Sequence, residues 1–266
     1  MPNWLSSMQQ TFEYYTVDPV SWTDKKILTH VKKCTIDWDL ETDTLGSATI
    51  DLDDYIEEQY IRAYLITIQN GVKEKHPLGT FLVQTLPMSF DGKKETIAAD
   101  AYTPLIELNE KYPPIGYYVP EKENIMNIAC RVTEENLRAP VIYASSDKTL
   151  NTDLVADTNE TWLSFTKSLM SNAEYNYSLD EMGRVLFAPV QKIEALQPIY
   201  TFNDDNSSIL YPDIDMDRDL YGIPNVVEVI ASNGIEIFQV VAKNEKMDSP
   251  TSIPSRGREI IYRDTT

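Results

Sequence analysis

Positive charge is in short supply in this chain: 23 Lys and Arg stand against 42 Asp and Glu in 266 residues, a formal net charge of −19. That balance excludes a general attraction to nucleic-acid phosphates or to an anionic membrane face. Glycine is also scarce, at 9 residues, which leaves little room for glycine-rich repeats or phosphate-cradling loops. No window approaches the ~18 uninterrupted apolar residues of a membrane span. Met1-Pro2-Asn3-Trp4 does not begin a basic-then-apolar signal segment, so a soluble, non-secreted chain is expected. Cysteine is limited to Cys34 and Cys130; two buried thiols in a reducing compartment are favoured over a disulfide or a metal pair. Histidine is limited to His30 and His76, which read as structural or surface residues rather than a metal cage or general base. There is no Gly-x-Ser-x-Gly, Gly-x-x-x-x-Gly-Lys, Cys-x-x-Cys or His-Glu-x-x-His. This shortage of catalytic material favours a scaffold over an enzyme.

What is present is ordinary globular material: 42% hydrophobic and 10% aromatic residues, with 16 Tyr suited to sheet or interface surface. The first hundred residues read as strands. Lys26–Cys34 and Ile36–Leu40 are short candidates, and Gly46–Leu52 alternates with period two as a half-buried strand does. Arg62–Gln69 is the strongest strand signal and is closed by Asn70-Gly71, a tight-hairpin pair. His76-Pro77-Leu78-Gly79 leads into Thr80–Thr85, and an Asp91-Gly92 turn precedes Glu95–Ala101. Evenly spaced strands with tight turns form a meander that curls into a small barrel or sandwich.

From Leu105 the pattern becomes helical. Leu105–Lys111 is a short helix stopped by Pro113-Pro114, and Asn124–Glu135 is a longer one capped by Asn124. A third, capped by Thr158 or Asn159, carries Trp162, Phe165, Leu169 and Met170 on one stripe, which reads as core rather than as a ligand box. Ala173–Leu179 and Arg184–Pro189 form a hairpin around Asp180-Glu181-Met182-Gly183. After an acidic stretch from Glu194 to Asp219, Pro224–Ile230 and Ile235–Ala242 read as strands joined around Asn233-Gly234. A Ser/Pro-rich loop, Asp248–Ser255, then leads to a last strand, Gly257–Arg263. Three strands alone do not make a stable sheet layer, so this part is expected to lean on the rest or on another chain.

Three acidic groups invite a chemical reading. Asp213, Asp215, Asp217 and Asp219 alternate like the start of a calcium loop, but Arg218 and Pro224 occupy the positions that need Gly and Glu. A solvated acidic strand or loop is favoured. Asp51, Asp53, Asp54, Glu57 and Glu58 follow a strand and are expected to face water. Glu13, beside Tyr14 and Tyr15, illustrates an acid in an aromatic setting, as a glycosidase would need. No pair of acids is singled out, and no catalytic, cofactor-binding or metal residue is assigned. A peptidoglycan-degrading or glycan-binding module is the alternative to a scaffold.

The order of segments resembles the baseplate (tail) hub proteins of contractile-tailed bacteriophages, related to the hub part of type VI secretion spikes. The resemblance rests on Lys33–Leu52, similar to the opening strand pair of a tube-like barrel. It rests also on Asn159–Pro189, similar to a small α/β domain, and on Ile223–Val229 with Asp248–Ser252, similar to the re-entry into a second barrel. It implies a mainly β (α+β) fold in which tail-tube-like β-barrel domains flank a small α/β insert. The expected domains are a barrel over 1–112, the insert over 113–215 and strands of a second barrel over 216–266. Family members run further past the position of Arg263, so a short hub, strands supplied by another subunit, or a fragment are all open. The resemblance further implies a homotrimeric symmetry adapter in the virion, assembled in the host cytoplasm. Its implied partners are the tail tube protein, central spike protein, tape-measure protein and baseplate wedge proteins. DNA would pass through the channel without specific binding, and the chain itself would not bind membrane. A tail-completion or tube-terminator protein is a further alternative.

Overall fold

Strand-forming segments fill the first hundred residues and pair into one curled sheet. The computed structural model describes residues 2–90, 92, 95–192, 196–198, 219–232 and 237–265, and the chain divides into two compact units, Met1–Leu196 and Gln197–Thr266. The first unit opens with β1 (Gln9–Val17), β2 (Asp24–Leu28), β3 (Val31–Asp37), β4 (Ser47–Leu52), β5 (Tyr60–Gln69), β6 (Val72–Thr85), β7 (Met88–Phe90) and β8 (Glu95–Tyr102). Their order in the sheet is β2-β1-β5-β6-β8-β4-β3, with β7 beside β8. Every ladder on this path is antiparallel, so β2 and β3 run in the same direction. Only Thr29 and His30 separate them, a span of at most roughly 11 Å. The wall therefore curls until its two end strands are joined at the Thr29-His30 bend, because one bent segment forms both of them. The expectation of one strand over Lys26–Cys34 and another over Ile36–Leu40 is corrected: the break falls at Thr29-His30, and β3 ends at Asp37.

Alternation sorts the wall into two faces. Ala48, Ile50, Leu52, Ile61, Phe81, Val83, Ile97, Ala99 and Ala101 form the inner core. The outward residues of β5, Tyr60 and Arg62, are buried too, because a second layer packs on them. The β5–β6 turn is the expected tight hairpin, with Asn70 (φ 51°) and Gly71 (φ 77°) left-handed. β6 begins at Val72, well before Thr80, and absorbs Pro77 at a bulge opposite Ala63 and Tyr64, where a missing N–H is tolerated. At Gly79 a Cβ would stand 2.5 Å from the Phe81 ring and 3.0 Å from the Trp38 ring. Glycine there lets Trp38, just past β3, lay its ring against Phe81 at 5.6 Å.

The second layer is α1 (Ile106–Glu110) together with the α/β insert: β9 (Tyr118–Val119), α2 (Ile125–Asn136), β10 (Leu154–Val155), α3 (Trp162–Ser171), β11 (Tyr175–Leu179) and β12 (Val185–Pro189). Asn124 caps α2 as expected, its side chain accepting from Asn127 N–H at 2.9 Å. The cap of α3 is Thr161, not Thr158 or Asn159. Asp157 to Glu160 instead close a turn of their own, with Glu160 N–H donating to Asp157 C=O and Asp157 N–H to the Glu160 carboxylate. Trp162 and Phe165 are core residues, edge-on to Tyr117 at 4.8 and 5.4 Å.

The second unit holds β13 (Val226–Ser232), β14 (Ile237–Lys243), α4 (Ile253–Arg256) and β15 (Ile261–Thr265). β13 is central, antiparallel to β14 and parallel to β15. The Asp248–Ser255 stretch is not all loop: Ser252 caps the single turn α4, and Gly257 closes it at φ 62°. The last strand starts at Ile261 rather than Gly257. The Asn233-Gly234 turn, Asp91 and the run from Asp213 to Arg218 lie outside the described residues.

Candidate functional site

Two features of the described residues stand out as places where the chain holds something. The first is the clasp that fixes the insert on the outer face of the curled sheet. The β11–β12 turn, Asp180-Glu181-Met182-Gly183, is shaped by Asp180, whose carboxylate accepts from Met182 N–H (3.0 Å) and Arg184 N–H (2.8 Å). That shape presents the Met182 carbonyl to three donors of the sheet: Trp22 Nε1 at 2.8 Å, Arg62 Nη2 at 3.0 Å and the Thr80 hydroxyl at 3.0 Å. Gly183 makes the approach possible. Its φ is +73°, and a Cβ would lie 2.6 Å from Thr80 Cβ.

Arg62 is the centre of the clasp and is only 1% exposed. Its Nε donates to Thr80 Oγ1 at 2.7 Å and its Nη1 to Asp24 Oδ1 at 2.8 Å. Asp24 also accepts from the Tyr64 hydroxyl (2.8 Å) and Lys75 (3.1 Å). Burial works to raise the Asp24 carboxyl, but Tyr64, Lys75 and Arg62 together hold it below its ordinary 3.8. Burial and the bond to Asp24 push the Tyr64 hydroxyl up to about 12. A second polar node lies nearby: buried Glu107 accepts from the Tyr60 hydroxyl (2.8 Å), Arg138 N–H (2.9 Å) and Arg138 Nε (2.5 Å). A buried arginine and a buried glutamate are satisfied only because each has several partners.

The second feature is the sheet of the second unit. Register places Val227, Val229, Ala231, Phe238, Val240, Ala242 and Tyr262 on one face, with Asp264 the one charge at its β15 edge. Val240 is 68% exposed, and every residue of β14 is exposed. The opposite face carries Glu228 bound to Arg263 at 2.7 Å. An apolar face on a three-stranded sheet is the signature of a surface that works covered.

The acids singled out in the sequence do not converge. Glu13 accepts from Lys73 (2.9 Å) and Tyr15 (2.8 Å), and these bonds hold its carboxyl below its ordinary value. That is the opposite of the raised acid a glycosidase needs. Asp53 pairs with Lys32, Asp54 caps Tyr55 N–H, and Glu58 lies 3.9 Å from Arg138, so Asp53, Asp54 and Glu58 serve separate partners. Among the described residues no group of three or more His, Cys, Asp or Glu is placed to hold a metal. Asp219 accepts from Tyr221 N–H at 2.7 Å. His30 is exposed, and His76 meets Thr67 Oγ1 at 3.0 Å. Both cysteines are free; Cys130 is buried, but Cys34 is only half-buried. Neither Arg62 nor Glu107 was expected as a key residue. The one signal was Arg62 itself, a charge inside the most apolar strand segment of the chain.

No protein-family model and no curated protein sequence matches the chain. Solved structures do. The tail protein from Neisseria meningitidis MC58 superposes with a TM-score of 0.69 at 11% identity, over 97% of this chain and 71% of that one. The prophage MuSo2 43 kDa tail protein from Shewanella oneidensis gives 0.63 at 14% identity, over 97% and 73%. This chain has a phage tail-protein fold. Prophage tail protein gp18 from Listeria monocytogenes EGD-e adds a TM-score of 0.54 at 10% identity, over 95% and 72%. In this tail-protein fold the likeness runs nearly end to end, over at least 95% of the chain in all three. No helix of the described residues is long and apolar enough to cross a membrane.

Proposed function

We propose that the chain is a structural protein of a phage tail: a baseplate hub that trimerises and adapts the symmetry of the tail tube to that of the central spike. The observation that carries this reading is the likeness to tail proteins over 97% of the chain. The uncovered apolar face of β13, β14 and β15 supports it, since a ring of subunits covers such faces and removes free strand edges. In this reading 1–112 is a tube-like barrel, 113–215 the insert and 216–266 the strands of a second barrel. The ring encloses the channel for tape measure and DNA, beside the tube, spike and wedge proteins in the virion baseplate. The role is non-enzymatic and uses neither cofactor nor metal. Part of the surplus negative charge lines the lumen, so that DNA passes without sticking. Native mass spectrometry is the test, with a trimer as the expected species. A strictly monomeric protein that also fails to join tube or spike in assembly assays overturns the reading.

A further inference from the structure

The wall of the first unit is incomplete on one side. β2 pairs with Tyr14–Val17 of β1 and there the bent segment leaves it; among the described residues β3 then pairs only with β4. Past Thr29-His30 the edge of β1 over residues 9–13 and the edge of β3 border the same seam, and no ladder joins them among the described residues. Inward positions of a barrel are normally buried. Along this seam they are not: Phe12 is 58% exposed, and Tyr14, Cys34 and Ile36 are only half-buried. A cavity of about 230 Å³ opens between them, reaching Ala63 and Leu78 behind and lined in front by Lys32 and Lys33. Tyr14 and Cys34 meet across it, and burial raises the Cys34 thiol to about 11, so it stays a neutral, apolar wall rather than a reactive group.

We propose that this seam is a docking slot for one extended segment of a partner protein, a strand in which apolar and acidic residues alternate. A strand is what the missing piece of wall calls for, because the free edges of β1 and β3 offer unpaired main-chain groups on either side. Its inward side chains would fill the space over Phe12, Tyr14, Ile36 and Leu78. Its outward side chains would meet β3, whose lysines set the sign. Lys33 is exposed and makes no ion pair among the described residues, while its cross-strand neighbour Asp51 lies on the β4 side, away from the seam. Lys32 shares the seam while bound to Asp53. In a chain of net charge −19, two adjacent lysines at an open edge favour an acidic visitor over a basic one. This inference does not depend on the hub reading; it concerns a different surface and holds for any tail role.

The probes are two capped peptides of about ten residues, a strand's length, with the same Val and Phe positions and either Glu or Lys between them. Titrated into the full chain, the Glu peptide binds one to one. Hydrogen exchange then slows at the amides of 9–13 and 33–37. K33E weakens the Glu peptide by about tenfold and improves the Lys peptide, and Phe12→Ser weakens both while the far-ultraviolet spectrum stays unchanged. Equal binding of the two peptides, slowed exchange elsewhere, or no saturable binding up to about 1 mM overturns the proposal. In that event the lysines simply guard an edge against pairing.

Discussion

Arg62 shows how one side chain can decide the relation between two layers. It points outward from β5, where a solvent-facing arginine would be unremarkable, yet it is sealed by the β11–β12 turn and bonded to Asp24, Thr80 and the Met182 carbonyl. Arg62→Met leaves Asp24 and the Met182 carbonyl short of a donor in a partly buried place. Urea unfolding should show a loss of about 3 kcal/mol, at the low end for a broken buried pair because Tyr64 and Lys75 still serve Asp24. Asp24 also sets an acid limit. Its folded carboxyl titrates below the ordinary 3.8, so its contribution is complete above that value and is lost as pH falls through the lower, folded value. Acid unfolding of Asp24→Asn should therefore show a shallower loss of stability below about pH 4 than the parent, from a lower starting stability. Identical slopes for the two proteins would remove Asp24 from the acid response. None of this network was legible in the sequence beyond the oddity of an arginine among apolar residues, because its partners come from positions 22, 24, 80 and 182.

At the level of elements, local chemistry was read well where it acts within a few residues. The alternation of β4, the β-branched and aromatic run of β5, the Asn70-Gly71 turn, the Asn124 cap and the Trp162–Phe165 stripe were all visible. β1 was not anticipated: Gln9–Val17 is rich in Tyr and Thr but alternates weakly, and it becomes a strand because β5 pairs with it along its whole length. The α3 cap was placed two or three residues early, since several polar residues in a row compete and the Asp157–Glu160 turn settles the contest. Thr161→Ala should cost about 1 kcal/mol in thermal or denaturant unfolding, and Thr158→Ala close to nothing. Equal effects would contradict the observed cap. Glycine substitution gives a second comparison within loops. Gly116 and Gly183 both have left-handed φ, +80° and +73°, but only Gly183 has a neighbour, Thr80, at 2.6 Å from an added Cβ. Gly116→Ala should cost about 1 kcal/mol of backbone strain, and Gly183→Ala at least twice that, because the clasp must also move.

For the whole molecule the question is what covers the apolar face of the second unit. In the hub reading it is another copy of the chain. Val240→Lys places a charge on that face without touching the buried residues of the unit, so the expected outcome is a folded protein whose trimer is lost in native mass spectrometry. An unchanged trimer would put the interface elsewhere. Salt gives an independent check. Copies that each carry −19 repel one another, and screening weakens that repulsion. The trimer should therefore tighten between low and moderate ionic strength, read by light scattering against concentration; weakening by salt would indicate an interface held by opposite charges instead.

By itself the sequence determined the mainly β character, the positions of most strands and helices, the tight hairpin and the sign of the overall charge. These depend on periodicity, caps and composition, which act over short distances along the chain. Tertiary structure alone decided that β5 is buried on both faces, that a carbonyl at residue 182 anchors a layer, and that one bent segment serves both ends of a wall and leaves a seam. Each of those depends on which distant segments pair, and pairing is chosen by the free energy of the whole packed unit rather than by any local run. The acidity belongs to both accounts: composition sets its amount, and only folding places the adjacent lysines, Lys32 and Lys33, at an open edge against it.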